Sequence, residues 1–173
     1  QGEGFLDLRY NPESDRPTAA EILRTYSEKE LLEIFKNYGE EPLAWPIVKQ
    51  IINRRQNGQF IETADMLVQL VSDEYRRKYR SRSKHNPATK VFQALRIAVN
   101  DEYGNIKNVL PDAIEILASG GRLAVISFHS GEDRIVKHFF KKEVAKEQPK
   151  IKIINKKPII ASDDEIKNNP RSR

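Results

Sequence analysis

The sequence predicts an α/β protein: the later part of a doubly wound parallel sheet, with an all-helical insertion ahead of it. Three observations carry this. Residues 18–75 hold several short, capped helix patterns and no strand pattern. From Asn86 the order runs helix, helix, strand, helix, strand, which is an α/β crossover. The run "RLAVISF" at 122–128 is short, apolar, rich in β-formers and bounded by turn residues, as a buried strand is. Two strands do not make a stable open sheet, so the reading calls for neighbouring strands that these 173 residues do not supply.

Each element has its own signal. Residues 1–17 are irregular, broken by Asn11-Pro12 and Arg16-Pro17. Thr18 with Glu21, and Ser27 with Glu30, fit the capping box, so two helices start there. Leu31, Leu32, Phe35 and Tyr38 share a face that stops near Gly39. A third helix is expected from Glu41-Pro42 to Asn57-Gly58, with Trp45, Val48, Ile51 and Ile52 inward. A fourth starts at Thr63, with Ala64, Leu67, Leu70 and Val71 inward. Asn86-Pro87 reads as an N-cap and first helical residue. Val91, Phe92, Leu95, Ala98, Val99 and Glu102 mark that helix, and Gly104 is expected to interrupt it. Ile106 to Leu117 mark the next, with a kink or restart at Pro111. Gly120-Gly121 makes a turn into the first strand. Ser130 caps a helix with Ile135, Val136, Phe139, Phe140 and Val144 inward, "IKIIN" at 151–155 is the second strand, and the tail is polar.

Composition narrows the function. Charged residues are 32% and apolar residues 38%, which is globular. No apolar run approaches a membrane span, and the first residues carry neither a signal-peptide pattern nor an initiator Met, so a cut product or fragment is expected. Cysteine is absent and the three histidines are dispersed in sequence, so no metal or thiolate site is expected, and a cytoplasmic location fits. Net charge is +5, concentrated in "RRKYRSRSK": Arg76, Arg77, Lys78, Arg80, Arg82 and Lys84. Such a patch either grips a polyanion or is a solvated basic surface.

In open α/β sheets the ligand crevice lies beyond the carboxyl ends of the strands. Ser127, His129 and Ser130 fall there. His129 can bond a base or phosphate or move a proton. Ser130 opens a helix N-terminus that receives anions, or it is only a cap. Asp133 and Arg134 can support that pocket or form a surface pair. Arg96, Asn100 and Asp101 lie on the polar side of a helix.

"NPATKVFQALRIAVNDE" (86–102) and "GGRLAVISFHSGEDRIVK" (120–137) closely resemble the ribosomal RNA small subunit methyltransferase H family, the MraW-like enzymes. "YGEE" at Tyr38, "LDLR" at Leu6 and the closing "KPI…EI…NPRSR" match in the same order. The resemblance implies S-adenosyl-L-methionine-dependent N4-methylation of a cytidine in small-subunit (16S) ribosomal RNA. It implies an incomplete class I, Rossmann-like methyltransferase sheet with an inserted helical subdomain. Residues 1–17 would follow a missing fourth strand, 18–85 would be the insert that binds substrate, and 86–173 would be the C-terminal part of the methyltransferase domain. "RLAVISFH" and "IKIIN" would be the fifth and sixth strands. Ser127, His129 and Ser130 would be the catalytic wall; Asp7, Arg9, Arg96, Asn100, Asp133 and Arg134 would bind substrate. The six basic residues of 76–84 would hold the RNA backbone, with Tyr75 and Tyr79 for stacking. No residue here inherits the cofactor contacts, which belong to a missing N-terminal half, so the fragment alone is expected to be inactive. Gly131 departs from the family pattern, which has Leu there. A non-enzymatic RNA-binding helical module, or one half of a split methyltransferase, are the alternatives.

Overall fold

Helix α1 (Ala19–Thr25) and helix α2 (Glu28–Glu33) start where the capping boxes place them. In each box the hydroxyl accepts the amide three residues on, while that residue's carboxylate accepts the cap amide, at 2.8 Å for Thr18–Glu21 and 2.8 Å for Ser27–Glu30. These bonds satisfy donors that a helix start leaves orphaned. The computed structural model describes residues 4–79, 86–155, 157–170 and 172.

Helix α2 runs on into one π-helical turn, Ile34–Tyr38, that buries Phe35. A Cβ on Gly39 would stand 2.6 Å from the Lys90 carbonyl oxygen, so only glycine lets the helix that carries Lys90 approach this closely. Glu40 follows at φ 48°. Helix α3 (Ala44–Gln56) buries Ala44, Ile47, Val48 and Ile51. Trp45, expected inward, is half exposed, because the 3.6-residue period rotates it off the stripe that Ile47 and Ile51 define. Lys49 Nζ lies 4.8 Å from its ring centre. Arg55 donates to the carbonyls of Leu23 and Tyr26, both at 2.7 Å, and so ties α3 to the end of α1. Helix α4 (Ala64–Tyr79) buries Leu67, Leu70 and Val71.

Helix α5 (Thr89–Asn100) starts later than expected. Asn86 makes a side-chain turn instead, its Oδ1 accepting the Ala88 amide at 2.9 Å, and Ala88 holds the cap position. Val91, Ala94, Leu95 and Val99 join the same apolar core as α1 to α4 and Leu6. The break after α5 falls at Asp101, in the left-handed region at φ 50°, and not at Gly104. Asp tolerates that region better than most residues. These elements form one unit, Gln1–Glu102.

The second unit is Tyr103–Arg173. Helix α6 (Glu102–Glu115) passes through Pro111 without restarting. Gly120 takes φ 80° in the expected turn. Segments 122–128 and 151–155 were expected to be strands. Among the described residues neither pairs, and the single bridge, Phe5 with Thr63, lies elsewhere. A strand is defined by its partner's hydrogen bonds, and these segments meet none. Ile126 and Phe128 are 83% and 89% exposed in consequence. Helix α7 (Ser130–Val144) buries Val136 and half-buries Ile135, Phe139, Phe140 and Val144. Helix α8 (Asp163–Asn168) was not expected in the polar tail, although Ser162 and Glu165 form a third capping box.

Candidate functional site

The expected site residues fall into separate groups. Asp7, Arg9, Arg96 and Asn100 converge in the first unit. Arg9 grips Asp7 in a fork, Nε to Oδ1 at 2.6 Å and Nη2 to Oδ2 at 2.9 Å, and its Nη1 donates to the Ser14 carbonyl at 2.7 Å. The guanidinium holds the Asp7 carboxyl below the usual carboxylate range. Between them Leu8 sits at φ 63°, which costs a non-glycine residue roughly 1–2 kcal/mol.

Asn100 supplies the restraint. Its side chain donates to the Leu8 carbonyl at 2.9 Å and accepts the Tyr10 amide at 2.8 Å, clamping the strained residue on both sides. It is itself buried. Arg96 forks onto Glu102, Nε to Oε1 at 2.8 Å and Nη2 to Oε2 at 3.1 Å, and the Tyr10 hydroxyl donates to the same carboxylate at 2.9 Å. Asp7 is anchored from behind, its carbonyl accepting the Ala19 amide at 2.8 Å. Two left-handed non-glycine residues, Leu8 and Asp101, thus flank one polar cluster; strain of this kind collects at functional sites. Leu8 and Glu102 carried no signal for this cluster beyond lying in the matching words, and Tyr10 carried none.

The basic patch is partly engaged. Arg76 pairs with Asp73 and Arg77 with the buried Glu74, each at 2.9 Å, while Lys78 and Tyr79 are exposed. Arg80, Arg82 and Lys84 lie outside the described residues. The Tyr75 hydroxyl donates to Glu41 at 2.7 Å, and burial together with that carboxylate pushes its ionisation up. Tyr79 lies 5.6 Å from it, ring to ring, and is exposed.

Ser127, His129, Ser130, Asp133 and Arg134 gather at the start of α7 in the second unit. The helix cap is His129, not Ser130, which is the first helical residue. Glu132 explains the shift: its Oε2 accepts the Phe128 amide at 2.7 Å and Oε1 lies 3.4 Å from His129 Nε2. Neither imidazole nitrogen makes a hydrogen bond among the described residues, and Nε2 faces the Glu132 carboxylate. Tyr103 stacks obliquely on the imidazole, 6.1 Å between centres, and its hydroxyl fills the space a side chain at Gly131 would take.

Compared with known proteins, residues 1–173 match the model of the MraW methylase family. The chain belongs to that family. Among MraW-family relatives, the ribosomal RNA small subunit methyltransferase H of Hydrogenobaculum is 46% identical over 100% of this chain and 55% of its own length. The proteins of the same name from Thermomicrobium roseum and Carboxydothermus hydrogenoformans are 44% and 42% identical, over 98% and 99% of this chain and 55% and 58% of their lengths. The chain spans about half the length of the curated relatives it matches.

MraW-family membership raises the question of S-adenosylmethionine. A nucleoside cradle needs glycines open to a ligand between a strand and a helix. Here Gly39, Gly121 and Gly131 are closed by Lys90, Ala118 and Tyr103, and Gly58 and Gly120 turn the chain after helices. These five glycines form no such cradle. No described helix is long and apolar enough to cross a membrane.

Proposed function

We propose that this chain is the substrate-side part of an S-adenosylmethionine-dependent methyltransferase that modifies the N4 of a cytidine in small-subunit ribosomal RNA in the cytoplasm. The observation that carries the reading is the match over residues 1–173 to the MraW methylase family, whose similar members are named for small-subunit ribosomal RNA. The cofactor contacts belong, in this reading, to the length of the relatives that this chain does not span. The same length supplies strands that pair with 122–128 and 151–155 in a Rossmann-like sheet, and the chain alone does not turn over.

The residues present have defined tasks. Cytosine N4 is conjugated with its ring and weakly nucleophilic, so the base must be held in line, its amino group hydrogen-bonded and water excluded. His129, whose ring nitrogens make no hydrogen bond among the described residues, and the hydroxyls of Ser127 and Ser130 bond the extruded base. Asp133 and Arg134 frame them. The Asp7–Arg9 and Arg96–Asn100 cluster orients the substrate from the helical subdomain of residues 18–85, onto whose core α5 packs. Arg76, Arg77 and Lys78, with Arg80, Arg82 and Lys84 beyond the described residues, hold phosphates.

Two titrations of the 173-residue chain test this. A small-subunit ribosomal RNA fragment is expected to bind more tightly than unrelated RNA of equal length, and S-adenosylmethionine is expected to give no saturable heat. Equal affinity for both RNAs overturns the substrate assignment; saturable cofactor binding overturns the placement of the cofactor.

A further inference from the structure

We propose that Glu132 is the positioning residue for His129. Its carboxylate keeps the imidazole proton on Nε2, so that Nδ1 carries the lone pair that accepts a hydrogen bond from the amino group of the target base. The inference rests on the reading above, in which His129 bonds the base, and it names the nitrogen that does so.

The two oxygens of Glu132 have different tasks. Oε2 accepts the Phe128 amide at 2.7 Å, which ties the carboxylate to the backbone. Oε1 stands 3.4 Å from His129 Nε2. Both side chains are mostly buried, so water screens the carboxylate from the ring only weakly. A carboxylate accepts and does not donate, so the nitrogen that faces it is the one that carries the proton. The separation is longer than a formed hydrogen bond, as it is at sites that tighten when substrate enters.

Helix capping alone does not account for this arrangement. In a capping box the glutamate takes the amide of the cap residue itself. Glu132 passes over the His129 amide to that of Phe128. His129 holds the cap position yet makes no side-chain cap bond, although Ser130 beside it is a better capping residue. The start of α7 thus forgoes an ordinary cap and holds an oriented imidazole instead. Tyr103 restrains the ring plane, 6.1 Å away between centres and tilted by 44°. A Cβ at Gly131 would stand 3.2 Å from Nδ1 and on the Tyr103 hydroxyl. On that side, then, the neighbour of Nδ1 is a rotatable tyrosine and not a side chain of α7.

The test is NMR of the histidine ring nitrogens in the 173-residue chain at mildly alkaline pH, with His129→Ala identifying the His129 signals. The wild type is expected to show a protonated Nε2 and an unprotonated Nδ1. In Glu132→Gln the amide oxygen keeps the Phe128 amide and the amide nitrogen faces Nε2, so the proton is expected to move to Nδ1. Thermal melts verify that this variant keeps its fold. Its affinity for the small-subunit ribosomal RNA fragment is expected to fall about fivefold, the worth of one hydrogen bond, with the salt slope unchanged. Loss of a negative charge alone would tighten RNA binding instead. In the His129→Ala background Glu132→Gln is expected to weaken binding no further. A wild-type proton on Nδ1, or a proton indifferent to Glu132→Gln, overturns the positioning role and leaves the base contact of His129 standing. A proton that moves as expected, with RNA affinity unchanged in both Glu132→Gln and His129→Ala, overturns the base contact and with it the use of the pair.

Discussion

Asn100 was read from the sequence as a substrate ligand, and the structure gives it a different immediate task. Its amide is saturated by Leu8, Tyr10 and Arg96, so it holds backbone geometry while neighbouring groups face outward. Asn100→Leu leaves the part-buried Tyr10 amide and Leu8 carbonyl without these partners, and a destabilisation on the order of 1–2 kcal/mol is expected in urea unfolding. A change within a few tenths of a kcal/mol would remove the clamp from this account. Gly131 makes the matching point in the second unit. The Tyr103 hydroxyl stands against its bare Cα. Gly131→Ala is expected to cost about 1–3 kcal/mol by overpacking, and Tyr103→Ala in the same chain to restore part of it. Additive losses in that double-mutant cycle would deny the contact. Asp7 sets a pH dependence. Its carboxyl titrates lower in the folded state than unfolded, so its contribution is present above the unfolded value near 4 and fades as pH falls through the folded one. Asp7→Asn should therefore narrow the stability gap between pH 6 and pH 3, measured by thermal melts.

At the scale of elements, the sequence was most legible where a local interaction suffices. The Thr18 and Ser27 boxes, the Gly58 stop and the Thr63 start need only neighbours along the chain. It was less legible where another element decides. The π-helical turn at Ile34–Tyr38 and the need for Gly39 come from α5 pressing on that turn, and nothing local announces them. Gly39→Ala is accordingly expected to cost on the order of 2–3 kcal/mol and to shift α5 amide resonances, because a backbone carbonyl cannot step aside as a side chain does. Wild-type stability with α5 unmoved would contradict the close approach. Likewise the helix break moved from Gly104 to Asp101, because Asn100 and Glu102 are committed to Leu8, Tyr10 and Arg96.

At the scale of the molecule, the two units are unequally furnished. The first has a continuous apolar core from Leu6 to Val99. The second buries few large side chains, chiefly Leu110, Ile114 and Val136, and leaves Ile126, Phe128, Ile159 and Ile160 exposed. Few buried contacts mean low local stability. Hydrogen exchange is expected to be slow in α5 and fast across 122–128 and 151–155. Supplying the cofactor-side part of a relative is expected to slow exchange in 122–128 if that segment completes a sheet. Slow exchange in the isolated chain would show that the segment already has a partner.

The sequence by itself determined where most of the helices lie, the capped starts of α1 and α2, most inward faces and the family. These depend on short-range chemistry and on words in a fixed order. The tertiary structure decided that Asp7 and Arg9 close on each other, that Asn100 clamps a left-handed leucine and that His129 is the cap of α7. It also decided that "RLAVISF" stays unpaired among the described residues. A helix carries its own hydrogen bonds, whereas a strand or a clamp exists only when a distant part of the chain arrives to complete it.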